Sequence, residues 1–155
     1  MNPLIKPDEF STTDAGLRRF LGYRLKRAYN TLRSDMLVRL EPLGLRITTF
    51  STLLLIVYNP GLRQSELASA LDIKTSNMVA IIDDLETRKW IKRQPVVTDR
   101  RALALFATTA GKIVCKKAEA LTFENEETLL NNLTVTELNT LSKLLEKIES
   151  SSEKY

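Results

Sequence analysis

The residues best suited to do chemistry are basic and polar, and they gather in short stretches between Arg63 and Arg101. Lysine and arginine bind phosphate, while the amides and hydroxyls of asparagine, glutamine, serine and threonine hydrogen-bond to base edges or phosphates. The candidates for DNA contact are Arg63, Gln64, Ser65, Lys74, Thr75, Ser76, Asn77, Lys92, Arg93, Arg100 and Arg101. Their chemistry is that of nucleic-acid recognition rather than bond breaking.

Two side chains in this set offer contacts to particular bases. Asn77 could hold adenine through two hydrogen bonds, and Lys74 could reach guanine or a phosphate. Thr75 and Ser76 have a competing interpretation, in which their hydroxyls only cap the helix that begins there. We expect the group as a whole to contact DNA.

Histidine is absent from the sequence, and Cys115 is its single cysteine. This composition excludes Ser-His-Asp and Cys-His catalysis, histidine metal sites and an intramolecular disulfide. The carboxylates and lysines form no recognisable catalytic motif. We therefore expect no enzymatic activity, no bound metal and no cofactor.

Cys115 has two interpretations. Lys112, Lys116 and Lys117 lie near it in sequence and would lower the pKa of an exposed thiol, which would suit an oxidant sensor. The alternative is a small, buried, unreactive side chain, and we favour it.

The formal net charge of +4 is distributed unevenly. Arginine and lysine dominate residues 18–46 and 88–101, whereas the C-terminal part is rich in glutamate. Such separation favours one side that faces a polyanion and a solvated far side. For the N-terminal cluster, plain solvation of a helix face is an equally good explanation.

Apolar periodicity and turn signals predict the elements that position these residues. Apolar side chains at three- and four-residue steps predict one helix from Thr13 to about Leu40, ended by Pro42 and Gly44. A second helix is predicted at about 48–58, and two short helices form the helix-turn-helix that follows. Another helix is predicted from Thr109 to the 120s or Asn131, and a last one after a Thr134–Glu137 capping box. Hairpin strands are predicted at about 90–96 and 102–107, and Thr108 is predicted to cap the helix that follows.

The predicted fold is mainly α with a small β-hairpin: a winged helix-turn-helix joined to a dimerisation domain of terminal helices. Residues 47–108 would form the DNA-binding domain, and residues 1–46 and 109–155 the discontinuous helical domain. The predicted internal packing set of the helix-turn-helix is Leu67, Ala68, Leu71, Ile73, Met78, Ile81 and Leu85.

The outer helices carry more apolar surface than one small wing domain can cover, so we expect a homodimer joined through them. The longest strongly apolar run, Leu53–Tyr58, is too short to cross a bilayer. The N-terminus lacks an apolar segment long enough for a signal peptide. We expect a cytoplasmic protein without membrane contact.

The most specific pattern is Asp99-Arg100-Arg101-Ala102, followed by Leu105, Thr108 and Gly111. With the helix-turn-helix in register upstream, nearly the whole chain resembles MarR-type (multiple antibiotic resistance regulator) transcription factors. The resemblance implies a dimeric repressor of a pseudo-palindromic operator. It also implies that Arg100 and Arg101 enter the minor groove, and that Asp99 pairs with a neighbouring arginine to stabilise the wing.

The resemblance further implies release by a small aromatic, phenolic or acyl-thioester ligand, held where the helical and wing domains meet. The residues expected to contact it are Tyr23, Arg24, Arg27, Phe50, Leu54 and Trp90, with the arginines pairing to a carboxylate or phosphate. Two rival functions remain open: a ligand-independent architectural DNA-binding protein, and a protein-interaction adaptor built on the wing domain.

The sequence departs from the family pattern at three positions. Lys89 stands where a glycine usually ends the recognition helix, so it must adopt a left-handed conformation at a cost of about 1 kcal/mol. Ala80 replaces an arginine that many members carry on that helix, and Ala107 replaces a strand leucine. Because of Ala80, we expect an operator preference that differs from the family's usual one.

Overall fold

A computed structural model describes residues 13–96 and 99–151; the side chains of residues 96 and 99–102 lie outside that description. The elements are α1 (Ala15–Arg18), α2 (Leu21–Leu40), a 3-10 turn (Glu41–Leu43), α3 (Ile47–Tyr58), α4 (Gln64–Ala70), α5 (Thr75–Thr87), β1 (Ile91–Val96), β2 (Asp99–Ala107), α6 (Thr109–Leu129) and α7 (Val135–Glu149). This is the predicted mainly helical fold with one antiparallel hairpin.

The first helix is not continuous as predicted, because the chain turns between α1 and α2 at Phe20, whose backbone is extended (φ −97°, ψ 125°). The turn lets the Asp14 carboxylate accept hydrogen bonds from Arg18 Nε at 3.0 Å and from the Tyr23 hydroxyl at 2.8 Å. Arg27 lies 3.3 Å from the same carboxylate. In a straight helix, Asp14 and Tyr23 would be separated by about 13 Å along the axis.

The core lies where α3 packs against α5 and α6. Its fully buried side chains include Leu53 and Ile56 of α3 and Met78, Ile82 and Leu85 of α5. Four members of the predicted packing set are buried, namely Leu67, Ala68, Met78 and Leu85, while Leu71, Ile73 and Ile81 are half-buried against them. Ile82, absent from that set, is completely buried.

The hairpin pairs Ile91 with Ala107 and continues in register to Pro95 and Leu103, after which the pairing shifts. The second strand thus begins earlier than predicted. A third segment adds to its outer edge, because Leu105 N–H donates to the Leu62 carbonyl and Gly61 N–H donates to the Leu105 carbonyl. These bonds attach the hairpin to the start of α4.

The start of α6 is locked onto the turn between α5 and β1. Thr108 Oγ1 accepts from Gly111 N–H at 3.1 Å, which confirms the predicted cap, and donates to the Lys89 carbonyl at 2.8 Å. Lys89 adopts the predicted left-handed conformation (φ 59°). At Gly111 a Cβ atom would lie only 2.0 Å from the Trp90 carbonyl oxygen, so the glycine allows this close approach.

The far half of α6 packs against α2, where Asn125 Nδ2 donates to the Leu32 carbonyl at 3.3 Å. The capping box at the start of α7 forms as predicted, since Thr134 Oγ1 accepts from Glu137 N–H and Glu137 accepts from Thr134 N–H. These bonds from Thr134 lower the pKa of Glu137. The apolar side chains of α7 at Leu141, Leu144, Leu145 and Ile148 are substantially exposed.

Within residues 13–96 and 99–151, no single helix is both long and apolar enough to span a membrane; one pair bent by 72°, Leu21–Leu43 with Ile47–Tyr58, meets those criteria jointly. In the same residues, no group of three His, Cys, Asp or Glu side chains is placed to hold a metal ion.

Candidate nucleic-acid interface

The first turn of α5 presents an exposed polar surface. Thr75, Ser76 and Asn77 are all exposed, whereas Met78 points inward and is fully buried. Lys74 is the N-cap residue, and no side chain makes a capping hydrogen bond to this turn within the described part of the chain. The capping interpretation of Thr75 and Ser76 therefore does not hold, and their hydroxyls are available for another partner.

The start of α4 lies beside this surface. Arg63 and Ser65 are exposed, and Gln64 reaches across to the Thr75 carbonyl at 3.5 Å. The helix is capped by a bond that we did not predict, from Arg63 N–H to Glu66 Oε2 at 2.7 Å. The N-terminal turns of the two helices thus lie next to each other.

Of the predicted wing contacts, Lys92 is exposed, whereas Arg93 turns back to α5, the predicted recognition helix. Its guanidinium pairs with Asp83 and, at 2.9 Å, with Glu86, both in α5. The side chains of Asp99, Arg100 and Arg101 lie outside the described residues, so the contacts predicted for them stay predictions.

The six residues predicted to bind a ligand divide into two groups. Tyr23, Arg24 and Arg27 lie at the start of α2, where Tyr23 and Arg27 contact Asp14 and Arg24 Nε donates to the Arg18 carbonyl at 2.6 Å.

The other three residues belong to the packing of the wing domain. Phe50 is buried in the core, Leu54 is half-buried against it, and the Trp90 ring lies 5.1 Å below the Arg88 guanidinium. The two groups thus have different neighbours.

A cavity that the sequence did not reveal lies between the α2–α3 turn and α5. Its volume is about 270 Å³, and it is lined by Gly44, Arg46, Thr49, Ala80, Ile81, Asp84 and Arg88. Arg88 is held by Asp84 through Nε at 3.0 Å. Ala80 and Ile81 provide an apolar wall, Arg46 contributes a guanidinium, and the Arg88 guanidinium is shared with the Asp84 carboxylate. The sequence signal that could have pointed to this cavity is the spacing of Asp84 and Arg88, one helical turn apart, next to the small side chain of Ala80.

Known proteins share this architecture and about a third of this sequence. A family model described as MarR family matches residues 43–102. Over 130 residues the chain is 31% identical to the HTH-type transcriptional repressor Rv2887 of Mycobacterium tuberculosis, covering 84% of this chain and 94% of that protein. The transcriptional repressor CouR, solved bound to a 23-mer DNA duplex, is similar with a TM-score of 0.78 and 33% identity, over 91% of this chain and 98% of that one.

Rv2887 in complex with salicylic acid aligns with a TM-score of 0.68 and 30% identity, over 83% of this chain and 96% of that one.

The chain belongs to the MarR family.

Membership confirms the family and fold class predicted from the wing motif and the helix-turn-helix. This MarR-family chain is a DNA-binding transcriptional regulator. Its curated relatives are regulators rather than enzymes. The structure adds a reason for part of the motif, since Thr108 and Gly111 serve the junction between the α5–β1 turn and α6.

Cys115 of this MarR-family chain is buried, with 1% of its surface exposed. Burial, together with the nearby Glu119 carboxylate, raises the pKa of its thiol to about 11. The interpretation that we favoured, a buried side chain, is therefore confirmed, and the condition for a lowered pKa, an exposed thiol beside the lysines at 112, 116 and 117, is not met. A protonated, buried thiol is a poor oxidant sensor.

Proposed function

We propose that this chain is a dimeric repressor whose two α5 helices read successive major-groove segments of a pseudo-palindromic operator. The observation that supports this best is the exposed polar first turn of α5, fixed in place by the buried side chains of Met78, Ile82 and Leu85. Lys74, Thr75, Ser76 and Asn77 would contact bases and phosphates. The start of α4, Lys92 and the wing arginines would hold flanking phosphates and the minor groove.

Exposed apolar side chains support a dimer interface built from the terminal helices. Phe20, Leu21 and Tyr29 are each more than half exposed, as is Leu144, and α7 presents further leucines to solvent. Patches of this kind usually mark a protein–protein contact. We divide the chain accordingly into a helical dimerisation domain, residues 1–46 and 109–155, and a winged domain, residues 47–108. The protein would act by binding, without catalysis, in the cytoplasm.

An aromatic carboxylate is the effector class that the cavity between the α2–α3 turn and α5 suits best. Arg46 and Arg88 could bind a carboxylate, and Ala80 with Ile81 could cover a ring. The structures of Rv2887 with salicylic acid and with p-aminosalicylic acid support this choice. Because Ala80, Ile81 and Asp84 belong to α5, an occupant would press directly on the recognition helix. The Tyr23–Arg24–Arg27 group is the alternative site.

The operator-reading role can be tested with Asn77→Ala. Affinity for operator DNA selected from random sequence should fall about 5- to 150-fold, since one bidentate base contact is worth about 1–3 kcal/mol. Affinity for random DNA should change little, as measured by fluorescence anisotropy. Asn132→Ala, which removes an exposed asparagine between α6 and α7, is the matched control. An equal loss on operator and random DNA would show that Asn77 does not read bases.

The effector site can be tested with salicylate and the variant Arg46→Gln. We expect salicylate to release wild-type protein from operator DNA and to raise its melting temperature. Both effects should be lost in Arg46→Gln, which removes one of the two guanidiniums in the cavity, and retained in Arg27→Gln. The reverse pattern would move the ligand to the start of α2. No response in wild type would favour the ligand-independent function.

A further inference from the structure

Arg93 of β1 forms ion pairs that join the hairpin to the recognition helix, α5. Its guanidinium lies between two carboxylates of α5, pairing with Asp83 through Nη2 and with Glu86 through Nη1. Only 27% of the Arg93 side chain is exposed, compared with 54% of Asp83. A single exposed ion pair contributes little, but a planar guanidinium held by two carboxylates also fixes orientation.

The alternation of side chains along β1 explains why Arg93 faces α5. Ile91 and Arg93 lie on the same face of β1, and Ile91 is buried in the core. Lys92 and Gln94 lie on the opposite face and are exposed. Of the two adjacent basic residues in this strand, only Lys92 therefore points to solvent.

The charges argue against a phosphate contact at Arg93. Asp83 and Glu86 bring two negative charges to the helix that must approach DNA, and Arg93 neutralises one of them. If its guanidinium moved to a phosphate, both carboxylates would lose the partner that they have in the described part of the hairpin, and they would lie beside the polyanion. Like charges brought together in this way oppose binding.

We propose that Arg93 is a positioning residue that fixes the angle between the wing and the recognition helix, and that Lys92 supplies the phosphate contact of this strand. This inference rests on the proposed DNA-reading role of α5 and the wing. Fixing that angle lets the two contacts engage as one unit, because binding by the helix then brings the wing to its groove at high effective concentration. We call the ion pairs of Arg93 with Asp83 and Glu86 the clamp. Without the clamp, the wing would have to be ordered against the helix anew at each encounter with DNA.

The test is a thermodynamic cycle on operator affinity with Arg93→Gln and the double variant Asp83→Asn/Glu86→Gln. If Arg93 acts through the carboxylates, Arg93→Gln should weaken binding about three- to tenfold in the wild-type background and change it little in the neutralised background. If Arg93 binds phosphate, it should cost the same in both backgrounds, and that result would overturn the proposal.

Salt dependence and a conservative variant separate the two roles further. Lys92→Gln should reduce the slope of log affinity against log salt by about 0.9, whereas Arg93→Gln should leave the slope unchanged. Arg93→Lys keeps the charge but cannot span two carboxylates, so it should behave like Arg93→Gln. Full affinity in Arg93→Lys, or a reduced slope in Arg93→Gln, would contradict a positioning role.

A measurement without DNA distinguishes failure of this inference from failure of the proposed function. Hydrogen exchange of the β1–β2 backbone amides should be faster in Arg93→Gln and in Asp83→Asn/Glu86→Gln than in Lys92→Gln, with melting temperature as a check on folding. Equal exchange in all variants would show that no clamp exists, whatever the DNA result. Faster exchange in a protein that binds no DNA would leave the clamp intact and remove only its operator role.

Discussion

At Gly111 the absence of a side chain determines how closely two backbone segments approach. The Trp90 carbonyl occupies the space that a Cβ atom would need, at 2.0 Å, and its carbonyl carbon lies 2.8 Å away. Thr108 bonds to the same turn through Lys89. Packing at the α5–β1–α6 junction is thus enough to explain why the family pattern has a glycine at this position, without any contact to DNA.

We predict that Gly111→Ala lowers the free energy of unfolding by about 3 kcal/mol or more, because backbone atoms cannot move aside as a side chain could. The loss would appear as a lower denaturant midpoint. Gly22→Ala is the matched control, since no atom lies within 4 Å of the added methyl group and α2 should gain up to about 1 kcal/mol. Equal midpoints for the two variants would contradict this account.

Among the elements, α7 has an exposed apolar surface that indicates a packing partner. Its leucines follow one stripe, and Leu141, Leu144 and Leu145 are 38%, 51% and 36% exposed. A capped helix of 15 residues gains little stability from its own propensity, so an uncovered apolar stripe points to packing outside the single chain. The dimer is the natural source of that packing.

We predict that Leu145→Glu converts the dimer to a monomer at micromolar concentration, because a charge would be buried in the interface without a partner. Sedimentation velocity measures the change directly. Asn139→Glu introduces the same charge on the opposite, exposed side of α7 and should leave the dimer intact. A dimeric Leu145→Glu protein would place the interface elsewhere.

The elements that local patterns specify were predictable, and those set by tertiary contacts were not. Periodicity located α2, α3, α6 and α7, and the caps at Thr108 and Thr134 are encoded within a few residues. The turn at Phe20 is accompanied by contacts of Asp14 with Tyr23 and Arg27, and no local sequence pattern predicts these contacts.

In the candidate DNA-binding site, too, local sequence patterns predict some features and tertiary contacts determine the others. The exposed first turn of α5 follows from the helix pattern, which places Thr75 to Asn77 ahead of the buried Met78. The engagement of Arg93 by α5 and the cavity at Arg46 arise only when distant segments pack together. A sequence identifies which side chains could bind DNA, but their partners within the fold decide which are free to do so.

At the scale of the whole molecule, α6 connects the two functional ends. Its first turn is fixed to the wing domain at Trp90, and its far half packs on α2. With 21 residues it is about 30 Å long, so a small rotation at one end would displace the other end by several ångströms. A tilt of about 5° at its dimer end would move the DNA-reading end by about 2.6 Å, close to the spacing of about 3.4 Å between base pairs. Rearrangements of a few degrees among the terminal helices would therefore be enough to put two half-sites out of phase.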